Sequence, residues 1–371
     1  MFKIEANVLQ EAVEQVVNGA KRARLAKGHI FIDASKQSQV VKLYFVGENL
    51  QVEKTLPVKV DDDVQISTTA HEFALKTSAL PKDVEVKFEI AANNNVKVSW
   101  GRESSLTLLS TPETAPSIDV PETVTDIKWS SGKLHYFSKN FSGFCALENS
   151  THAEKMPIIT GVYFYKDDTE QLVVEATNAI RGIRSTFDFE WFEEKFAIPA
   201  ETLNSVAEVI SAESEVSLGL NDKRTILVIK SGNTIALSRI LSGKFPDLSC
   251  NYSNKNSEIL WRVDRLELLE TARRVKRLGG LKPILRTGNS GSKTYAILDG
   301  VLSEQIGALI ESTTKENFSV NAENLEAALT VLRSEEILIA MKDKRQPLTI
   351  FSGDEDSAEK IEVMLAQVLD N

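Results

Sequence analysis

The sequence predicts an α+β protein built from three similar domains in tandem. Two recurring apolar frames and their spacing carry that expectation. The first frame reads Phe2-x-Ile4-x4-Leu9 and returns as Ile127-x-Trp129-x4-Leu134 and as Ile259-x-Trp261-x4-Leu266. The second reads Ile66-x-Thr68-x-Ala70-x2-Phe73, then Phe196-x-Ile198-x-Ala200-x2-Leu203, then Phe318-x-Val320-x-Ala322-x2-Leu325. The repeats lie roughly 120–130 residues apart, the size of a whole domain and far longer than a solenoid period. The expected domains are residues 1–121, 125–251 and 258–371.

The elements follow in order. Phe2 and Ile4 alternate as in a strand, and Leu9, Val13, Val16, Val17 and Ala20 then fall on one helical face. Residues 38–59 read as strands turning at Gly47-Glu48-Asn49, and a second short helix runs from Ala70 to Ala79, stopped near Pro81. Val84–Ile90 and Val96–Trp100 alternate cleanly around a turn and make a hairpin. The second unit repeats the plan. Leu134, Phe137, Phe141 and Phe144 form a helical stripe, strands follow at Gly161–Tyr165 and Gln171–Ala176, and a helix spans Ala200–Ser211. Val216–Leu220 and Ile226–Lys230 form its hairpin. The third unit places helices near Val263–Leu278 and Asn321–Arg333, then a hairpin of Ile337–Met341 and Leu348–Phe351. Thr111–Thr125, with three prolines, and the polar Tyr252–Glu258 read as linkers.

Composition narrows the functional classes. The chain has 371 residues and ordinary globular composition, with no apolar run of membrane-spanning length and no signal-peptide start. Two cysteines, Cys145 and Cys250, suit a reducing, cytoplasmic compartment and no disulfide framework. The four histidines are scattered, and no metal, nucleotide-loop or nucleophile-elbow motif is present, so no catalytic residue, metal site or cofactor is expected. Asp61-Asp62-Asp63 reads as a solvated loop, and Gly279-Gly280 as a helix C-cap.

A formal charge of −10 argues against nucleic-acid binding when taken as an average. The basic residues nevertheless gather on the first helix of each unit. They are Arg22 and Arg24 with Lys21 and Lys27, then His135 and Lys139, then Arg265, Arg273, Lys276 and Arg277. Two readings fit: a positive lane that attracts phosphate without reading sequence, or ordinary solvated helix faces.

Three passages resemble the bacterial DNA polymerase III beta subunit, the sliding clamp. Met156-Pro157-Ile158-Ile159-Thr160-Gly161-Val162 is similar to the family's R-P-I-L-T-G-V, Ala176-Thr177-Asn178-Ala179-Ile180-Arg181 to its A-T-D-G-H/Y-R, and Leu241–Asp247 to its L-x-G-x-F/Y-P-D. The resemblance implies a DNA-clamp fold in a head-to-tail homodimer ring, with antiparallel sheets outside and helices lining a central hole. It implies a non-enzymatic processivity factor that encircles double-stranded DNA without sequence preference and tethers the polymerase III alpha subunit and other clamp-motif proteins. An ATP-dependent loader would open the ring in the cytoplasm, at the nucleoid. The implied partner-peptide pocket comprises Ile159, Thr177, Arg181 and Pro246 with Asn321, Asn324, Pro347, Leu348, Val363 and Leu365. The implied dimer contacts are Leu106, Leu108 and Leu109 against Val275 and Leu278.

The chain departs from the family at several points. Ala179-Ile180 replaces Gly-His/Tyr, Gly182 stands where a leucine is usual, the closing P-M/V-R/K-x is missing, and the first unit reads Leu25–Ile30 in place of L-P-I-L-x-G. These departures also fit a clamp-fold protein specialised for one partner, or a decoy. From another class, an α+β hydrolase or transferase would need a site assembled from distant residues.

Overall fold

The structure, a computed structural model, describes residues 1–23, 28–114, 116–211, 214–252, 259–290, 293–310, 317–342, 345–353 and 360–369. The first repeat runs β1 (Phe2–Glu5), α1 (Ala6–Arg22), β2 (His29–Ser35), β3 (Val40–Val46), β4 (Leu50–Pro57), β5 (Val64–Thr69), α2 (Ala70–Ser78), β6 (Glu85–Ile90), β7 (Val96–Trp100) and β8 (Ser104–Leu108). The second runs β9 (Thr123–Ser130), α3 (Ser131–Asn140), α4 (Thr151–Lys155), β10 (Gly161–Lys166), β11 (Leu172–Thr177), β12 (Arg181–Phe187), β13 (Phe196–Pro199), α5 (Ala200–Val209), β14 (Glu215–Asn221), β15 (Ile226–Ser231), β16 (Thr234–Arg239) and α6 (Ser249–Tyr252). The third runs β17 (Ile259–Asp264), α7 (Arg265–Leu278), β18 (Ile284–Ser290), β19 (Lys293–Leu298), β20 (Leu302–Ile306), β21 (Ala308–Ile310), β22 (Ser319–Asn321), α8 (Ala322–Val331), β23 (Glu336–Met341), β24 (Leu348–Ser352) and β25 (Glu362–Leu365).

The second sequence frame matches the structure. Helices α2, α5 and α8 begin at its alanines, Ala70, Ala200 and Ala322, and Phe73, Leu203 and Leu325 are fully buried. Thr69 and Asn321 cap α2 and α8 by accepting from backbone N–H groups of the first turn. The first frame slips in the third repeat. Helix α7 begins at Arg265, capped by Asp264, so the counterpart of Leu9 and Leu134 is buried Leu268. Leu266 is 53% exposed, and the repeat reads Trp261-x-Val263-x4-Leu268. A strand's side chains alternate with period two, so a shift of two residues keeps the apolar pattern intact and is hard to detect in one dimension. The predicted phenylalanine stripe also outruns its helix: α3 ends at Asn140, and Phe144 lies in a separate 3-10 turn.

The chain divides into two compact units, Met1–Ser142 with Ile198–Leu241, and Gly143–Ala197 with Ser242–Asn371. The first holds a sheet ordered β1-β6-β7-β8 and a longer one ordered β5-β2-β3-β4-β16-β15-β14-β9. The second holds β20-β19-β18-β22 and the run β10-β11-β12-β25-β24-β23-β17-β21. Each long sheet therefore joins two repeats edge to edge. β4 pairs antiparallel with β16 (Leu50 opposite Ser238), and β12 pairs with β25 (Arg181 opposite Leu365).

Helices cover these sheets through apolar stripes. In α1, Leu9, Val13, Val16 and Val17 are buried, each contributing about 1.5–3 kcal/mol. On the same helix, Gly19 admits α5: a Cβ there would lie 2.5 Å from Val209 Cγ2. Ser205 Oγ donates to the Gly19 carbonyl at 2.8 Å, which satisfies the hydroxyl inside this contact. The proline-rich linker does not hang free of the first unit. Thr111 N–H donates to the Ser67 carbonyl, and Thr68 Oγ1 donates to the Leu109 carbonyl at 2.8 Å. The second linker, apart from Tyr252, lies outside the described residues, as do Arg24 and Lys27.

Candidate functional site

The site is a cavity of about 400 Å³ in the second unit. Its lining comes from α4 and the following turn (His152, Lys155, Met156, Ile159), the β11–β12 hairpin (Thr177, Ala179, Ile180), the segment after β16 (Pro246, Leu248), and Pro347, Met364 and Ala366. The lining is mostly apolar, and among the described residues its only ionisable side chains are His152 and Lys155. An apolar concavity with a few polar groups at its edge is a general form for binding small molecules and peptide anchors.

The β11–β12 hairpin is shaped by its own side chains. Asn178 Oδ1 accepts from Ile180 N–H at 3.0 Å and Arg181 N–H at 2.9 Å, while Thr177 Oγ1 accepts from Ala179 N–H and donates to the Arg181 carbonyl. These bonds hold Ala179 at φ 72°, a left-handed conformation that an L residue adopts only at a cost. Ile180 is left 45% exposed at the cavity mouth.

Strand alternation decides which residues line the cavity. Thr177, Gly182 and Met364 form one transverse row across β11, β12 and β25, with Thr177 opposite Gly182 and Gly182 opposite Met364. Arg181 and Leu365 belong to the other face. There the Arg181 guanidinium donates to Asn324 Oδ1 and the Gly143 carbonyl and lies 5.2 Å from the Phe144 ring centroid.

The row adjacent to Thr177 and Gly182 is polar. Tyr163, Glu175, Arg184 and Glu362 stand opposite one another in turn across β10, β11, β12 and β25. Glu175 is 5% exposed and lies 3.5 Å from Arg184. Burial pushes its carboxyl up to about 7 against the pull of Arg184, with Asp247 adding repulsion. The segment bearing Pro246 and Leu248 rests on this row. Phe245 stacks on Tyr163 with centroids 4.6 Å apart, and the Arg184 guanidinium lies 5.9 Å from the Tyr252 ring centroid.

The predicted pocket residues divide accordingly. Ile159, Thr177, Pro246 and Pro347 line the cavity. Val363 and Leu365 do not: both are fully buried in the sheet, and their neighbours Met364 and Ala366 take the position, a slip of one residue that reverses the face. Leu348 is likewise core. Asn321 is the α8 N-cap, and Arg181 and Asn324 contact each other outside the lining. His152, Lys155, Leu248 and Ile180 escaped the sequence reading, although Ile180 lay inside a matched motif.

The basic residues are mostly engaged. Arg22 pairs with Glu208 at 3.0 Å, and Glu326 of α8 takes both Arg273 and Lys276. Arg265 donates to the Leu329 and Ser334 carbonyls around the end of α8, and His135 Nε2 lies 3.1 Å from the Ile210 carbonyl oxygen. Both side chains, expected among the DNA-contacting residues, are occupied with helix termini. Lys139 and Arg277 are exposed. Two of the expected dimer contacts, Leu108 and Val275, are buried in the chain's own core because they face inward in β8 and α7. Leu109 and Leu278 are exposed, and Leu106 is half-buried.

No helix is long and apolar enough to cross a membrane, and no cluster of metal-ligating residues occurs among the described residues. Asp63 accepts from the Lys36 N–H, and the carbonyl of Asp62 accepts from the Met1 amino group, as loop residues do.

Three like α+β modules joined edge to edge by antiparallel strands, with paired helices on each, define a DNA-clamp fold. Residues 147–247 match the family described as DNA polymerase III beta subunit, central domain, and the chain resembles a divergent member of the beta sliding clamp family. It superposes on the DNA polymerase III beta chain of Streptococcus pneumoniae with a TM-score of 0.83 at 20% identity, covering 100% of this chain and 99% of that one. The Bacillus subtilis sliding clamp gives 0.82 at 20% identity, with 100% and 99% covered. The Pseudomonas aeruginosa sliding clamp, solved with griselimycin bound, gives 0.82 at 17% identity, again with 100% and 99% covered. These superpositions establish the fold, and at such identities the fold alone. No curated protein sequence matches the chain.

Proposed function

We propose that this protein is a DNA sliding clamp, a non-enzymatic processivity factor acting as a ring of two head-to-tail copies around duplex DNA. One observation carries the reading. Both internal junctions pair the same kinds of strand, β4 with β16 and β12 with β25. By repeat position, β4, β12 and β20 correspond, and so do β8, β16 and β25. β20 and β8 are left at sheet ends. A second copy offers each the partner that the rule demands, and two such junctions close a six-module ring. Exposed Leu109 and Leu278, with Leu106, supply apolar area beside those edges. The domain limits 1–121, 125–251 and 258–371 assign one complete module to each segment.

In this reading the helices face DNA, and threading through the ring supplies retention, so phosphate contacts need not be tight. Lys139 and Arg277 are the exposed cations for that role. Arg22, Arg273 and Lys276 can join them, because exposed ion pairs contribute only about 0–1 kcal/mol and yield to phosphate. The cavity takes a linear segment of a polymerase or other partner, with Leu and Phe anchors inside and acidic residues near His152 and Lys155. A loader would open the ring, in the cytoplasm.

Sedimentation tests the reading directly. A dimer at micromolar concentration is expected, and a strict monomer would remove the closed topology. Reversing Lys139 and Arg277 to Glu should weaken DNA association equally across sequences and flatten its salt dependence; an unchanged salt slope would reject these contacts.

A further inference from the structure

We propose that Tyr252 is a specificity-determining residue of the docking cavity: it stands in for the side chain that Gly182 lacks and holds the Pro246–Leu248 wall. The proposal deepens the docking reading and rests on it for its binding consequence.

Gly182 sits in the row that includes Thr177 and Met364, both of which line the cavity. A Cβ on Gly182 would lie 2.9 Å from the Tyr252 hydroxyl oxygen and 3.2 Å from Met364 Cε. A larger side chain at 182 and the tyrosine at 252 therefore exclude each other. The corresponding position at the other junction is Gln51, opposite Leu237, which carries a side chain of its own.

Tyr252 is 4% exposed, and its hydroxyl has no hydrogen-bond partner among the described residues. A buried hydroxyl without a partner is a poor reason to keep a tyrosine. The bulk of the side chain explains it better: its hydroxyl end occupies the space over Gly182, and its ring lies beside the Arg184 guanidinium. The same residue closes α6, where its N–H lies 3.4 Å from the Leu248 carbonyl oxygen. Leu248 lines the cavity, so one short turn links the side chain whose hydroxyl end lies over Gly182 to the cavity wall. Phe245 on Tyr163 anchors the segment's other end. Removing the ring frees the wall and enlarges the inner end of the cavity. A leucine at 182 restores the lost volume from the sheet side.

The test is a double-mutant cycle in the full chain, read by fluorescence polarisation with a labelled peptide carrying one Leu and one Phe anchor. Tyr252→Ala should weaken binding about tenfold or more, and Gly182→Leu alone should also weaken it, by collision. The double variant should recover to within about threefold of the parent chain, and Tyr252→Phe should bind within about twofold. A double variant as weak as the sum of the singles overturns the proposal, and so does a Phe variant as weak as Ala. Thermal unfolding of the same four proteins gives a readout independent of ligand. If no variant binds peptide, including the parent chain, the docking reading fails. Non-additive melting shifts would then still support the Gly182–Tyr252 exchange, and additive shifts would refute it.

Discussion

The two strand junctions share a backbone plan and differ in side-chain chemistry. In register, Leu50, Gln51, Val52 and Glu53 of β4 correspond to Arg181, Gly182, Ile183 and Arg184 of β12. At the first junction buried Leu50 faces inward, and α1 and α5 meet at Gly19 with no room to spare. At the second, an arginine replaces that leucine, a glycine opens the opposite face, and a cavity forms beside it. The comparison shows how a repeated module acquires a site. The hydrogen-bond ladder is kept at both joints, and a few side chains decide whether the surface above it is filled or hollow.

The largest expected effect tests the polar seat at the second junction. Glu175 ordinarily titrates near 4.5 and is held up to about 7 by burial. A carboxyl raised in the folded state favours folding when protonated, so its contribution is intact below about pH 4.5 and is lost as pH rises through 7. Urea midpoints should therefore fall between pH 5 and pH 8 by an amount worth about 3 kcal/mol, and Glu175→Gln should remove most of that slope. An unchanged slope in the variant would mean that another group sets it.

The next tests the filled junction. Gly19→Val should cost about 2 kcal/mol by overpacking against Val209 while leaving peptide affinity at the other unit unchanged, as measured by denaturation and polarisation together. Ala179→Gly should stabilise by about 1 kcal/mol, since it relieves the left-handed strain in the cavity hairpin. A loss of stability there would show that the methyl group's packing outweighs the strain. The smallest effect belongs to the exposed Arg22–Glu208 pair of α1 and α5. Its double-mutant coupling should be about 0.5 kcal/mol and should vanish at high salt.

Particular residues show how much could be read in advance. The helix-initiating alanines Ala70, Ala200 and Ala322 and the buried Phe73, Leu203 and Leu325 were legible, because a strand-to-helix switch of apolar period shows over a few consecutive residues. Ile159, Thr177 and Pro246, singled out through their motifs, line the cavity. Leu266 was read in place of Leu268 because a period-two pattern survives a slip of two residues, whereas Met364 and Ala366 line the cavity beside the expected Val363 and Leu365 because only the strand's partners decide which of its two faces turns to the core. Leu108 and Val275 were read as contacts, since an apolar residue near a strand or helix end looks the same whether it faces the core or the solvent.

By itself, the amino-acid order determined the threefold repetition, the starting points of α2, α5 and α8, and the alternation that makes each strand two-faced. All of these depend on neighbours within about a turn or a hairpin. Only the tertiary structure decided which face of β25 meets the cavity, that Glu326 pairs with both Arg273 and Lys276, and that Tyr252 occupies the space above Gly182. Those outcomes join residues far apart in the chain, and the distance between them is set by packing, which no local pattern encodes.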